Sequence, residues 1–299
     1  MLELHEVPED ERDDRRAELV DRVGRRRATI RHVDLEETLA EIDRMYDDVA
    51  DRATVRDVVE SGDRVGHLWA VVEGDETAVY DVRLDDPARA LELLPALLDL
   101  ARSHGSRMLG VGSGPDDEER SVLVTAPGFV RRATNMVLDL GGEIADPGLE
   151  LRPMTPEEFA AFMEVMVVDY AATLAEAGLT QEAALERSRT QTGQLIPDGQ
   201  DSAGMEFFTG WAGDLAVGRL WLNVDQPMAF VYDVEVLEEQ RRKGYGAGLM
   251  NAAAIWSRDH GHPVLGLNVF AHNPGARALY DRLGYVVTAD YHTLDVGDA

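Results

Sequence analysis

The stretch Arg241-Arg242-Lys243-Gly244-Tyr245-Gly246-Ala247-Gly248 carries the clearest chemistry in the chain. It separates a strand expected over Ala229–Val236, β-branched and aromatic throughout, from a helix expected from about Ala247 to His260, with Gly261 as its terminator. Glycines let the backbone approach a ligand closely, and the N–H groups of a helix start favour an anion. Arg241, Arg242 and Lys243 place three cations on the same lip. A phosphate fits there. It is not the phosphate of a Walker A loop, because the required spacing and the Ser or Thr after the lysine are missing. Nor is it a dinucleotide fingerprint, because Leu249 stands where that motif needs glycine. A glycine-rich surface turn with solvated arginines is the structural alternative.

A second stretch lies downstream, from Leu265 through Asn268, Asn273-Pro274, Tyr280 and Leu283-Gly284-Tyr285. Asn273-Pro274 reads as a helix cap followed by proline in the first turn, and Gly284 as the end of that helix. Arg-x-x-Gly-x-Gly after a strand, followed by this strand–turn–short-helix pattern, resembles the two signatures of the GNAT acetyltransferase superfamily. The resemblance implies acetyl-CoA as co-substrate, no metal, and a mixed, mostly antiparallel α/β (α+β) sheet flanked by helices. It implies that the pyrophosphate is held by Arg241, Arg242, Lys243, Gly244, Tyr245, Gly246, Ala247 and Gly248. It further implies that the central strand splays from its neighbour, so that the backbone of Val234-Glu235-Val236 bonds the pantetheine arm. N–H groups near Val236 would then stabilise an oxyanion. Asn268 and Asn273 would fix the cofactor arm and the turn.

The 299 residues suffice for two ordinary domains. With no cysteine there are no disulfides, thiolate metal sites or thiol nucleophile. Met1 to Asp14 is acidic with no apolar segment, so no signal peptide is legible, and no apolar run reaches the length of a membrane span. A cytoplasmic protein is expected. A net charge of −28 argues against nucleic acid and could concentrate a cationic substrate. Solubility and a compositional bias account for the same number, as they do for the single lysine, Lys243.

The chain repeats itself. Val65-Gly66-His67-Leu68-Trp69 matches Val217-Gly218-Arg219-Leu220-Trp221, and Val79-Tyr80-Asp81-Val82 matches Val231-Tyr232-Asp233-Val234, both at an offset of 152 residues. Leu2-Glu3-Leu4 echoes Leu149-Glu150-Leu151. Further on, Leu109-Gly110 matches Leu265-Gly266 and Gly128-Phe129-Val130 matches Gly284-Tyr285-Val286, now at an offset of 156. The four extra residues of the second copy fall in the basic loop. The first copy has Asp85-Asp86-Pro87-Ala88-Arg89 there, Asp117 in place of Asn273, and Val124 in place of Tyr280. Two tandem domains are expected: 1–145, degenerate and without a cofactor loop, and 146–299, which keeps the chemistry. The turn-rich Gly141 to Gly148 marks the boundary. Helices are expected over Arg15 to Arg27, Leu35 to Arg52, Pro156 to Ala177 and Gln181 to Ile196. Arg22, Arg25, Arg26, Arg27 and Arg31 are expected on a solvated helix face rather than a binding patch.

Acetyl transfer to an amine needs a held thioester, a free lone pair, oxyanion stabilisation and a proton for the leaving thiolate. Tyr280 is the expected acid, because a phenol stays protonated at neutral pH. Asp233 and Glu235 alternate along the central strand and share a face, so either could take the proton of an ammonium. An ordinary carboxylate is too weak a base for that without a raised pKa. Asp81 occupies the position of Asp233 in the copy without the loop, so Glu235, which aligns with Arg83, is the expected base. His272 is a weaker candidate that could equally cap the turn. Tyr170, Phe208 and Trp221 are candidate walls of an acceptor pocket, with ordinary core packing as the alternative. The expected activity is N-acetylation of a small-molecule amine by direct attack in a ternary complex. A peptide or protein N-acetyltransferase and a non-catalytic acyl-CoA sensor or scaffold are the alternatives, and assembly as a homodimer stays open.

Overall fold

The computed structural model describes residues 1–176, 180–225 and 228–297. The expected helix end at Ala177 lies outside them. In the first repeat the elements are β1 (Glu3–Glu6), α1 (Arg12–Arg31), α2 (Leu35–Asp48), β2 (Ala53–Glu60), β3 (Asp63–Glu73), β4 (Glu76–Leu84), α3 (Leu94–Ser103), β5 (Met108–Ser113), α4 (Glu118–Leu123) and β6 (Val130–Asp139). The second repeat runs β7 (Glu150–Pro153), α5 (Pro156–Glu176), α6 (Gln181–Leu195), β8 (Met205–Ala212), β9 (Leu215–Asn223), β10 (Ala229–Val236), α7 (Tyr245–Asp259), β11 (Val264–Phe270), α8 (Pro274–Arg282) and β12 (Val286–Asp295). Among the described residues no helix is long and apolar enough to cross a membrane.

Local sequence explains the helix starts. Thr155 and Glu158 form a reciprocal capping box around Pro156: Glu158 N–H donates to Thr155 Oγ1 at 3.2 Å, and Thr155 N–H to Glu158 Oε2 at 2.8 Å. Asp117 and Asn273, one repeat apart, cap α4 and α8 in the same way. Arg120 N–H donates to Asp117 Oδ1 at 3.2 Å, and Ala276 N–H to Asn273 Oδ1 at 3.0 Å.

The chain divides into two compact units, 1–137 with 268–278 and 285–299, and 138–267 with 279–284. These units do not follow a single cut near residue 145. The last strand of the second repeat, β12, belongs to the first unit, antiparallel to β5 on one side and to β6 on the other. Leu294 and Val296 enter the same apolar cluster as Leu68, Val82, Leu97, Leu109 and Leu123. The repeat is thus legible in sequence, while the exchange of its last strand is not.

Within the first unit, β1 to β4 form an antiparallel meander, and β4 pairs in parallel with β5. That parallel ladder covers only Glu76–Val79 against Met108–Val111. At Tyr80 the register with β3 slips by one residue, a bulge, and beyond it β4 continues with β3 alone. The central strand therefore forks away from β5. In the second unit β7, β8, β9 and β10 form the corresponding meander. Its β10–β11 ladder runs from Ala229↔Leu265 to Val231↔Leu267, and the bulge recurs at Tyr232. Trp69 against Tyr80 and Trp221 against Tyr232 pack in the same way, with ring centroids 5.2 and 5.0 Å apart.

Because β12 lies between β5 and β6, ending the chain at Gly284 should take the antiparallel ladder with β12 from both strands and leave β5 with only its short parallel pairing to β4. Amide hydrogen exchange on the truncated protein should show lost protection across Met108–Ser113 and Val130–Val137. Protection equal to that of the full chain would mean that the first unit does not depend on β12.

Candidate functional site

The basic loop is built as its composition requires. A short 3-10 turn, Glu238–Gln240, follows β10, and Gly244 then takes φ +90°, a left-handed conformation suited to glycine. Arg242 is also left-handed, at φ +62°, which is uncommon for a residue with a Cβ. Gly244 is the N-cap residue of α7 and supplies no side-chain cap. Ala247 and Gly248 N–H both donate to Gly244 O, at 3.0 and 3.3 Å, so Tyr245 and Gly246 N–H precede the first intrahelical bond. Arg241 Nε donates to Val236 O at 3.1 Å, and Lys243 Nζ to Glu239 O and Gln240 Oε1, both at 2.9 Å. Among the described residues the Arg242 guanidinium makes no ion pair. An uncapped helix start, a left-handed arginine and the left-handed Gly244 make a cradle that suits an anion. Gly248 has a different task. A Cβ there would lie 2.6 Å from Pro147 O, so this glycine lets α7 pack closely against the chain before β7.

The carboxylates of β10 differ from each other more than their alternation suggests. Glu235 lies between two guanidiniums, Arg219 Nη1 at 3.8 Å and Arg241 Nη2 at 3.8 Å. Asp233 has no cation within ion-pair distance among the described residues. Its pKa is pushed up to about 7, first by burial, then by the charges of Glu235 and Asp169, against a smaller opposing effect of Arg219. Tyr280 is buried, and burial followed by the Asp233 charge pushes its pKa up to about 12. Asp233 can therefore accept a proton near neutral pH while Tyr280 keeps one to donate. Of the two carboxylates that the sequence offers as a base, Asp233 has the raised pKa and Glu235, the expected base, lies beside two arginines.

The same aspartate in the first repeat has the opposite surroundings. Asp81 receives His67 Nε2 at 3.1 Å and Arg22 Nε at 3.2 Å, with Arg26 Nη1 at 3.5 Å. Burial opposes its charge, but the His67 bond and the charges of Arg22, Arg26 and Arg120 outweigh it and hold Asp81 below the usual carboxylate range. At the offset of 147 residues set by the first strands, Arg22 falls on Asp169. The residue that lowers Asp81 in one copy is thus replaced by one that raises Asp233 in the other. Arg120 also donates to Tyr80 O at 3.1 Å, filling the fork beside β4, where the second copy carries Ala276. The arginines of α1 are accordingly not the solvated face expected of them. Arg22 and Arg26 turn inward to Asp81, Glu119 and Asp117, and Arg27 and Arg31 pair with Glu41. Arg25 alone remains exposed, on Asp21.

The expected aromatic walls are also placed differently. Phe208 and Trp221 are 3% and 2% exposed. Phe208 packs on Trp256, and Trp221 stacks on Phe207 with its indole N–H on Met205 Sδ at 3.4 Å. Both are core. Tyr170 is exposed on α5 and donates to Gln191 Oε1 at 2.9 Å. The accessible ring on the central strand is Tyr232, the bulge residue, 42% exposed. Asn273 is occupied as a cap, Asn268 Nδ2 donates to Asn135 Oδ1 at 2.7 Å, and His272 stacks on Phe270. Val234 and Val236 pair with Leu220 and Gly218 of β9. Asp169 and Arg219 were not singled out from sequence, although the repeat marks both: they align with Arg22 and His67, changes of charge at otherwise matching positions. Among the described residues no cluster of three or more His, Cys, Asp or Glu could hold a metal ion.

A charged Asp233 is disfavoured in the folded state, so it withdraws stability as pH rises from about 4, where the unfolded carboxyl ionises, through 7. Asp233→Asn should raise Tm relative to the parent at pH 8 and leave it nearly equal at pH 4. Equal differences at both pH values would mean that Asp233 ionises normally.

Residues 178–285 match the family model described as Acetyltransferase (GNAT) family. The uncharacterised N-acetyltransferase YdgE of Bacillus subtilis is 35% identical over 145 residues, which cover 46% of this chain and 92% of that protein. Two solved structures extend over nearly the whole chain and show the fold. A GCN5-related N-acetyltransferase from Sphaerobacter thermophilus aligns with a TM-score of 0.60 at 17% identity, covering 99% of this chain and 96% of its own. A tandem GNAT protein from the clavulanic acid biosynthesis pathway aligns with a TM-score of 0.54 at 18% identity over the full length of both.

Proposed function

Because this chain belongs to the GNAT acetyltransferase family, we propose that its second repeat transfers the acetyl group of acetyl-CoA to the primary amine of a small molecule, by direct attack in a ternary complex. Acetyl-CoA supplies an activated thioester, and every other requirement falls on side chains and backbone of this chain. The loop Arg241–Gly246 holds the pyrophosphate through the helix start and its cationic lip. Asp233 takes a proton from the incoming ammonium, and Tyr280 gives one to the departing thiolate. The backbone at Val236 lies beside the reacting carbonyl.

The observation that carries this reading is the pairing, in one compact unit, of a carboxyl with a pKa near 7 and a phenol with a pKa near 12. Such divergent environments mark a base and an acid that work together. A cationic acceptor agrees with the charges that act on Asp233, since Glu235 and Asp169 raise its pKa and Arg219 opposes them with a smaller effect. The first repeat takes no part in the chemistry. Its aspartate is neutralised by arginines, its fork is filled by Arg120, and Val124 stands where Tyr280 stands in the second.

The test is thiol release from acetyl-CoA across a panel of small amines and amino acids. Turnover with a free amine is expected; activity confined to peptides would replace the acceptor class, and none at all would remove the catalytic reading. Tyr280→Phe should keep acetyl-CoA affinity and lower kcat by about 10²–10⁴. Single-turnover measurement separates the chemical step from product release, and an unchanged chemical step would remove Tyr280 as the acid. Gly246→Glu should abolish acetyl-CoA binding in calorimetry by setting a carboxylate at the helix start. Wild-type affinity in that folded variant would show that the anion binds elsewhere.

A further inference from the structure

The first repeat keeps a cavity of 590 Å³ against β3, β4 and α1, within the range of about 300–1,000 Å³ typical of small-molecule sites. Arg22, Arg25, Arg64, His67, Arg83 and Asp85 are among its walls. A second cavity, of 530 Å³, shares Arg22, Arg83 and Asp85 with it. Most of these charges are already matched. Arg22 is held by Glu119 at 3.0 Å, Arg25 by Asp21 at 2.8 Å, Arg64 by Glu18 at 2.6 Å, and His67 by Asp81 at 3.1 Å. Arg83 and Asp85 differ. Neither makes a side-chain hydrogen bond or ion pair among the described residues.

The repeat explains why Arg83 is unmatched. It sits opposite His67 in the β3–β4 ladder, as Glu235 sits opposite Arg219 in β9–β10. In the second repeat that pair is an ion pair at 3.8 Å. Replacing Glu by Arg and Arg by His removes the attraction, and His67 is already engaged with Asp81. Asp85 N–H donates to Val65 O at 2.8 Å, which keeps the chain extended past the end of β4. Arg83 and Asp85 therefore leave the same face, about 7 Å apart along the strand. One free guanidinium and one free carboxylate border the same two cavities.

We propose that this cavity is a second, non-catalytic site for a zwitterion of the α-amino acid type, its carboxylate on Arg83 and its ammonium on Asp85. Guanidinium binds carboxylate through two parallel hydrogen bonds, which fixes orientation as well as charge. A simple anion would leave Asp85 repelling it, and a simple amine would leave Arg83 doing so. The zwitterion satisfies both groups at once. The inference does not depend on the acetyltransferase reading, since no group of the second unit takes part.

The test is calorimetry on the full chain with each of the twenty standard amino acids. At least one is expected to bind with a Kd below about 1 mM. Its N-acetyl form, which lacks the ammonium, and its amide, which lacks the carboxylate, should each bind at least about tenfold more weakly. Arg83→Gln and Asp85→Asn, both exposed substitutions that should leave the fold intact, should each cause a similar loss, whereas Asp233→Asn should leave binding unchanged. No binding by any amino acid would overturn the proposal, as would binding that survives both first-repeat substitutions. Loss of binding in Asp233→Asn would assign the ligand to the second repeat, and equal binding of the N-acetyl form would reduce the site to one for plain carboxylates.

Discussion

An aspartate on a central strand, just past a bulge, must be compensated or protonated, and the two repeats resolve this in opposite ways. The bulge at Tyr80 and at Tyr232 turns Asp81 and Asp233 inward beside a tryptophan–tyrosine contact that occurs in both repeats. A buried carboxylate without a cation is expensive, and the usual outcome is a shifted pKa rather than a buried charge. Asp81 is surrounded by Arg22, Arg26 and His67 and stays ionised. Asp233 has Asp169 and Glu235 as neighbours and is pushed to about 7. One strand design thus yields a structural ion cluster in one copy and a carboxyl with a raised pKa in the other.

The difference reaches back to single positions in sequence. Arg22 against Asp169 changes the charge that the first helix presents to the central strand. Arg120 against Ala276 decides whether a guanidinium bonds the carbonyls freed at the fork. A buried network of this kind is weak as a source of stability, because desolvation offsets most of the Coulomb attraction. Its effect here is to hold Asp81 ionised and to fill the fork beside β4 with Arg120. The unit that holds the first repeat takes β12 from the second, between β5 and β6.

Much of the local structure around the basic loop was legible in the sequence. Glycine spacing marked the turn at Gly244 and the helix start that follows it, and the strand Ala229–Val236 has the bounds that its β-branched residues imply. Self-comparison of the chain exposed the repeat and the loss of Tyr280 in the first copy. What was not legible depends on contacts distant in sequence. The Arg22–Asp81 pair spans 59 residues, and α1 viewed as an isolated helix gives no sign that its arginines turn inward. Phe208 and Trp221 look alike as core or pocket until burial separates them. The contrast between Asp233 and Glu235 is likewise not visible along the strand: burial, Glu235 and Asp169 on another element raise the pKa of Asp233, while Glu235 lies beside Arg219 and Arg241. The exchanged strand leaves no mark in sequence at all, since β12 has the same pattern whichever unit it joins.

The account stands on the claim that Asp81 and Asp233 ionise differently. The direct measurement is a pH titration of ¹³C-labelled aspartate carboxyls by NMR in the full chain, with Asp81→Asn and Asp233→Asn used to assign the two signals. Asp233 should titrate with a midpoint near 7 and Asp81 below the ordinary aspartate range. Asp233 titrating near 4 with the surface carboxylates, or both signals shifting together, would contradict the account.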